Sequence, residues 1–396
     1  MFDQLNSRPA DSLLALIKAF HADDRSGKVD LGVGVYRDIM GRTPVMRAVK
    51  AAEQFLLETQ DSKKYLGPEG DLQFVRLLQP IIFGKSPTFG HRLVGIQTPG
   101  GSGALRLGAE LIQTANPSAK VLLGTPSWPN HAPIFGAARL PVKAYAFVDL
   151  TLQQVKFESV IEALSSAGEG DVVLLHGCCH NPTGIDFTME QWRQITALLV
   201  AQKLVPFIDL AYQGLGDGLE HDAAPTRMIL DAVDEALIAY SCDKNFGLYR
   251  ERVGALYVMA RNVDDTGKAE SNMAALARVN WSMPPDHGAA IVRTILESDE
   301  MSAMWRAELE EMCQRVNGNR AALAAAAPDL AFISQQRGLF SNLSMSKETA
   351  VALRAKHGIY MADSGRMNLA GMQPDDACAI VAALRAEGCL KSSMSA

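Results

Sequence analysis

The chain has 396 residues, of which 48% are hydrophobic and 21% charged, with a formal net charge of −6. That length suits two or three domains or subdomains, and a core of that size needs neither disulfides nor a metal to hold it. The acidic balance and the lack of a long basic run speak against a nucleic-acid partner, and no apolar stretch reaches the ~20 residues of a membrane-spanning helix.

The first expected element is a helix. Leu13, Leu14, Leu16, Ile17 and Phe20 share one helical face behind Asp11 or Ser12 as cap. The opening stretch MFDQLNSRPADSLLALIKAF lacks a basic n-region and a small-residue cleavage site, so the expected location is cytoplasmic. Short apolar runs follow at 93–97, 121–124, 172–176, 204–209, 236–241 and 255–260. Helical stretches such as 104–114 and 189–201 lie between them. Apolar strands alternating with helices predict an α/β sheet covered on both faces. After about residue 265 helical patterns dominate, including a long one from roughly Glu300 to Ala326. A smaller α+β portion ends in a helix at 375–387. The N-terminal helix is expected to join this portion, giving a small domain of 1–43 and 312–396 and a large domain of 44–311.

Six cysteines stand at 178, 179, 242, 313, 378 and 389, with no CxxC pair. Adjacent Cys178 and Cys179 have poor geometry for an ordinary disulfide. His176 and His180 beside them do not complete a zinc set. Buried free thiols and no metal site are the expectation.

Five strand ends carry unusual sequence. LVGIQTP leads into Gly100-Gly101-Ser102-Gly103, which opens a helix. VLLGTP leads into Ser127-Trp128-Pro129-Asn130-His131, and VVLLHG into CCHNPTG with Asn181. LVPFI ends in Asp209, with Tyr212 beyond it, and ALIAY ends in Ser241 and then Lys244. Open α/β sheets bind ligands beyond the carboxyl ends of their strands. Bare backbone N–H groups at residues 100–103, with Ser102, Ser241 and Arg252, describe a phosphate cup; a simple turn is the plainer reading of GGSG. The sequence has no GxGxxG and no GxxxxGK[ST]. A partly desolvated Lys244 has a lowered pKa and can form a Schiff base with an aldehyde, the chemistry that pyridoxal phosphate requires. That cofactor also needs a carboxylate at its ring nitrogen, and Asp209 fits. Asn181 and Tyr212 are suited to its phenolic oxygen, and Trp128 to stacking on the ring. Taken singly, Asp209 reads as a cap or surface acid and Trp128 as core.

The stretches SCDKNFGLYRERVG, HGCCHNPTG, DLAYQG, TPSWPNH, TPGGSGAL, KKYLGPEG, GVGVYRD and GRMNLAGM resemble the class I aminotransferases of the aspartate and aromatic amino acid type, over about residues 5 to 390. The resemblance implies the type I fold of pyridoxal-phosphate enzymes. Its large domain has a mostly parallel seven-stranded sheet between helices, beside a smaller α+β domain. It implies Lys244 as cofactor-holding lysine and proton-transfer base, Asp209 at the pyridine nitrogen, Asn181 and Tyr212 at the phenolic oxygen, and Trp128 on the ring. Gly101, Ser102, Ser241 and Arg252 match the phosphate site, and Tyr65 a tyrosine that reaches the neighbouring subunit's phosphate. Arg366 resembles the arginine that grips the substrate α-carboxylate, with Gly34 of GVGVYRD beside the substrate. Arg278 resembles a second arginine, supplied across a dimer interface for a distal carboxylate.

The resemblance also bears on substrate. Ser102 and Met283 stand where aspartate-selective members tend to carry threonine and asparagine, and Lys64 replaces another asparagine; Val35 and Thr43 are aspartate-like. The implied activity is ping-pong transamination of aromatic and dicarboxylic amino acids, with 2-oxoglutarate and glutamate as one pair. A strict aspartate enzyme is the nearest alternative. Other pyridoxal chemistry and a non-catalytic regulator are further ones; such regulators carry an N-terminal DNA-binding domain, whereas here the likeness starts near residue 1. Asp243 replaces a usual small serine before the lysine. It either raises the pKa of Lys244 or pairs with a neighbour.

Overall fold

The computed structural model describes residues 1–7, 12–373 and 375–391. They form two compact units, one of residues 1–43, 318–335 and 339–396, the other of 44–317 and 336–338. The division after residue 317 falls inside the helix Asp299–Ala326, six residues beyond the 311/312 boundary expected from sequence.

The larger unit is built on seven strands: β1 (Leu93–Pro99), β2 (Val121–Thr125), β3 (Val142–Ala146), β4 (Val172–His176), β5 (Val205–Leu210), β6 (Ala236–Ser241) and β7 (Val253–Met259). Their order across the sheet is β1-β7-β6-β5-β4-β2-β3. Only β7 runs antiparallel to its neighbours, pairing Gly254 with Thr98 on one side and Ser241 on the other. The six runs seen in the sequence are six of these strands. The missing one, β3, is an edge strand reading VKAYA, whose Lys143 and Ala144 are exposed. It has no apolar run because one side of it faces water.

Every residue of β6 and β7 is buried, which explains their unbroken apolar character. The core on one face joins Ile96, Leu107, Val121, Phe207 and Leu256 to the helix Gly100–Ala115. Gly108 in that helix lets it approach the sheet, since a Cβ there would lie 2.4 Å from Phe207 Cζ. Each fully buried Leu, Ile or Phe contributes about 1.5–3 kcal/mol relative to an exposed one.

In the smaller unit, Val29–Asp30 pairs parallel with Ile359–Tyr360, and Phe340–Asn342 antiparallel with Arg366–Asn368. Leu31, Leu323, Leu353, Met367 and Ile380 are among its core residues. Its first α-helix is Ser12–Ala22, whose Phe20 meets Tyr360 edge-on at 5.2 Å. Asp11, one of the two expected caps, lies outside the described residues. Helix Lys347–His357 is capped by Ser346, which accepts the Thr349 N–H, and ends at Gly358 with φ +69°.

All six cysteines are free, but only Cys178, Cys179, Cys242 and Cys313 are buried; Cys378 is exposed and Cys389 intermediate. Cys378 lies on the terminal helix Asp376–Ala386 away from its buried residues, and Cys389, just past it, packs partly buried against the core of the smaller unit. No helix among the described residues is long and apolar enough to cross a membrane.

Candidate active site

The parallel strands place their carboxyl ends along one edge of the sheet. Because β7 runs the other way, its amino end arrives at the same edge. Arg252, just before β7, therefore comes back beside Ser241 at the end of β6. A cavity of about 160 Å³ opens there. Gly101, Ser102, Trp128, Asn181, Asp209, Tyr212, Ser241, Lys244 and Arg252 all line it, together with His176 and Asp243.

At one end stands the N-terminus of helix Gly100–Ala115. Gly100 sits at φ +69°. A Cβ on Gly101 would meet Ser241 Cβ at 3.1 Å, so glycine lets the helix start lie directly on the serine. No side-chain cap bonds the first helical N–H groups. They and the positive end of the helix dipole suit an anion.

Lys244 lies on the loop between β6 and β7, and that loop is fixed from behind. The indole N–H of fully buried Trp305 donates to Asn245 O at 2.8 Å, and Phe246 stacks on the indole at 4.3 Å. Asn245 Nδ2 donates to Tyr240 Oη at 2.8 Å and to Gln213 O at 3.2 Å. The Lys244 amine has no hydrogen bond or ion pair among the described residues; its Nζ stands 5.5 Å from the centre of the Tyr212 ring. Burial pushes the Lys244 ammonium below the ordinary lysine value, and Arg252 adds to this, while Asp243 and Asp209 pull it back up. The outcome is an amine that loses its proton more readily than a surface lysine.

Asp209 is 8% exposed, at the end of β5. Burial alone would raise its carboxyl, but the hydrogen bond from His131 and the nearby Lys244 outweigh it and hold the group ionised. His131 Nε2 lies 3.0 Å from Asp209 Oδ2, and Ser127 Oγ lies 2.8 Å from His131 Nδ1. With Asp209 ionised, Nε2–H donates to the carboxylate, and Nδ1 accepts the Ser127 hydroxyl. His176, paired with Asp209 across β4 and β5, is pushed down to about 3 by burial and by His131, so it stays neutral.

Asn181 Nδ2 donates to Tyr212 Oη at 3.4 Å, while the buried Asn181 Oδ1 has no partner among the described residues. Trp128 meets His131 edge-on at 5.2 Å. Arg252 Nη1 is ion-paired to Asp243 and also donates to Tyr249 O at 3.1 Å. Of the two readings for Asp243, pairing with a neighbour is thus observed, and its charge also acts on Lys244.

In the smaller unit, Arg366 Nη2 donates to Gly32 O at 3.1 Å, and its guanidinium lies 4.6 Å from the centre of the Phe340 ring. Gly34 touches the same ring, since a Cβ there would be 2.7 Å from Phe340 Cζ. Asn368 Nδ2 donates to Val33 O and Val35 O and so holds the backbone on both sides of Gly34. Tyr65 and Arg278 do not line the cavity. Tyr65 is 93% exposed, and exposed Arg278 donates to Ser282 Oγ at 3.2 Å.

Sequence reasoning assigned no role to His131, although it closes the TPSWPNH stretch. Its spacing of four from Ser127 was the available signal; its partner Asp209 lies 78 residues away.

Residues 26–384 match the family model of aminotransferase class I and II. The tyrosine aminotransferase of Rhizobium meliloti (strain 1021) is 51% identical, over 96% of this chain and 98% of that protein. The aspartate aminotransferase of Escherichia coli (strain K12) is 44% identical, over 95% of this chain and 97% of that protein. Among solved structures, an aromatic-amino-acid aminotransferase from Burkholderia pseudomallei covalently bound to pyridoxal phosphate superposes with a TM-score of 0.94. It is 37% identical, over 99% of this chain and 100% of that one. The chain belongs to the class I and II aminotransferases.

Proposed function

We propose that this chain is a pyridoxal-phosphate-dependent aminotransferase acting on both aromatic and dicarboxylic amino acids, with 2-oxoglutarate and glutamate as one substrate pair. One observation carries the reading. An amine with no ion-pair partner, Lys244, shares a cavity with an ionised buried carboxylate, Asp209, and an uncapped glycine-rich helix start.

The residues present fit the cofactor. The orphaned Asn181 Oδ1 and the long Asn181–Tyr212 bond leave polar capacity open toward the cavity. Gly101 keeps the helix start free of side chain. When bound, pyridoxal phosphate supplies an electron sink for the charge left at the substrate α-carbon. Gly101, Ser102, Ser241 and Arg252 would hold the phosphate. Asp209, oriented by His131, would face the ring nitrogen as its carboxylate partner. Asn181 and Tyr212 would serve the phenolic oxygen, and Trp128 would offer an aromatic face to the ring. Lys244 would hold the cofactor and would be the base that takes the proton from the substrate α-carbon. Its depressed pKa leaves the free amine available for that transfer. Arg366 binds the α-carboxylate through a bidentate pair. Amino donor and oxo-acid acceptor bind in turn, which gives ping-pong kinetics.

Broad substrate use is favoured by Met283 and Arg278. The thioether of Met283 offers Leu66 N–H only a weak acceptor, at 3.0 Å. Exposed Arg278 has no carboxylate partner among the described residues and so is able to turn toward or away from a distal group. Exposed Tyr65 and Arg278 are proposed to complete the neighbouring subunit's site in a cytoplasmic homodimer.

The visible spectrum of the purified protein tests the reading, recorded before and after separate additions of aspartate, phenylalanine and glutamate. A yellow band that all three bleach supports it. Bleaching by aspartate and glutamate but not phenylalanine restricts the enzyme to dicarboxylates. A protein that stays colourless with added pyridoxal phosphate overturns it.

A further inference from the structure

One carboxylate in the cavity acts on Lys244 by its charge but has been given no ligand to hold or orient. Asp243 is 2% exposed, and its two oxygens are both engaged. Oδ2 accepts from Arg252 Nη1, and Oδ1 accepts from Val253 N–H at 3.3 Å. The backbone N–H of Asp243 donates to Ser241 Oγ at 3.2 Å, so the residue also touches the hydroxyl of the cup. On its other side the guanidinium abuts the glycine-rich helix start. A Cβ built on Gly100 would lie 2.6 Å from Arg252 Nη2 and 3.2 Å from Asp243 Oδ2. Asp243 thus binds one amino group of Arg252 while the other faces Gly100.

This arrangement changes the charge of the cup. The pair Arg252–Asp243 sums to zero. The other donors, backbone N–H groups and the Ser102 and Ser241 hydroxyls, are neutral. A phosphate dianion entering here meets a guanidinium already shared with an internal anion, and a fixed negative charge next to it. Guanidinium–oxyanion pairs are among the strongest polar contacts, and a like charge a few ångströms away in a partly buried site opposes them.

We infer that Asp243 is a positioning residue for the phosphate-binding arginine, one that seats Arg252 against Gly100 and, as a built-in competitor anion, loosens the hold of the site on a dianionic phosphate. The small serine that the family resemblance places here has no such charge. The inference rests on the proposed cofactor.

The two effects separate in Asp243→Asn. Its amide oxygen still accepts from Arg252, so that contact is kept while the charge is gone; the Val253 N–H alone loses its acceptor. The full chain, stripped of cofactor, is titrated by equilibrium dialysis with pyridoxal phosphate, with unphosphorylated pyridoxal and with inorganic phosphate. Asp243→Asn is expected to bind pyridoxal phosphate and inorganic phosphate about tenfold more tightly than the unaltered chain, with pyridoxal unchanged. The gap narrows as salt is raised. Asp243→Ser, which loses both charge and seating, gains less; it also serves if the asparagine variant fails to fold. Equal changes for pyridoxal and pyridoxal phosphate, no change, or weaker phosphate binding would each overturn the inference alone. Failure of the unaltered chain to bind pyridoxal phosphate would overturn the proposed function and this inference together.

Discussion

Ser127 and Asp209 are joined through one imidazole. The ring of His131 is wholly buried, with Ser127 Oγ on Nδ1 and Asp209 Oδ2 on Nε2. The relay fixes the tautomer of His131 and supplies a hydrogen bond that counters the burial of Asp209. Such second contacts orient the group that touches the ligand.

Replacing His131 with Phe keeps most of the ring volume and removes that bond. The Asp209 carboxyl should then rise toward the value its burial dictates. Turnover should fall by about tenfold to a hundredfold, as expected for loss of a hydrogen bond to a charged group worth roughly 1.5–3 kcal/mol. The acid limb of the pH–rate profile should move to higher pH. An unchanged profile would separate His131 from Asp209.

Lys244→Met should abolish turnover, with a loss of at least about a thousandfold. In the cofactor-free chain the same change should stabilise the fold at neutral pH. The folded pKa of Lys244 lies below the unfolded one of about 10.4, so the unfolded state binds the extra proton. The penalty is full below the folded pKa and vanishes above the unfolded one. The stability gap between variant and unaltered chain should therefore close as pH rises through that window, measured by urea melts at several pH values.

Trp305→Ala removes the indole that stacks on Phe246 and bonds to Asn245 O. A cost of about 3–5 kcal/mol is expected for so large a buried side chain. Because Asn245 follows Lys244, turnover by the remaining folded protein should also drop. Denaturant melts and assays on one sample will show both effects.

Subunit mixing checks the shared-site proposal. Lys244→Ala and Arg278→Ala chains, each nearly inactive toward aspartate, should recover about a quarter of normal activity when unfolded and refolded together at equal amounts, since half the dimers are mixed and each has one intact site. No recovery would leave Arg278 serving its own chain.

Arg366→Lys retains the charge and loses the planar fork. KM for every amino acid should rise about tenfold or more, with aromatic and dicarboxylic substrates affected alike. Loss confined to one substrate class would place Arg366 elsewhere than at the common carboxylate.

The central sheet was legible because β4, β5, β6 and β7 are buried on both faces and so read as continuous apolar runs. Edge strand β3 was not, because Lys143 and Ala144 face solvent. The reversed direction of β7 has no local signature, since an apolar strand reads alike in either sense. That Lys244, Asp209 and Asn181 gather at one edge of the sheet was legible from their strand-end positions. The link between His131 and Asp209 was not, because it joins two elements distant in sequence. The Asp243–Arg252 pair was half legible: Asp243 was visibly out of pattern, but only the turn of the loop brings it to the guanidinium.

The loop that contains Lys244 and Arg252 is pinned at both ends by one ladder. Ser241 faces Gly254, and Cys242 N–H donates to Val253 O at 2.9 Å. Just beyond, a Cβ on Gly254 would strike Tyr240 O at 2.5 Å and Gly100 C at 2.6 Å, so strand and helix start meet backbone to backbone. The hairpin therefore works as a ruler: the number of residues from 242 to 252 sets the spacing of amine and guanidinium. Surface loops in general tolerate insertions, but this one has a gauge length. A single inserted residue would leave every side chain in place in the sequence and still put the two charges at the wrong separation.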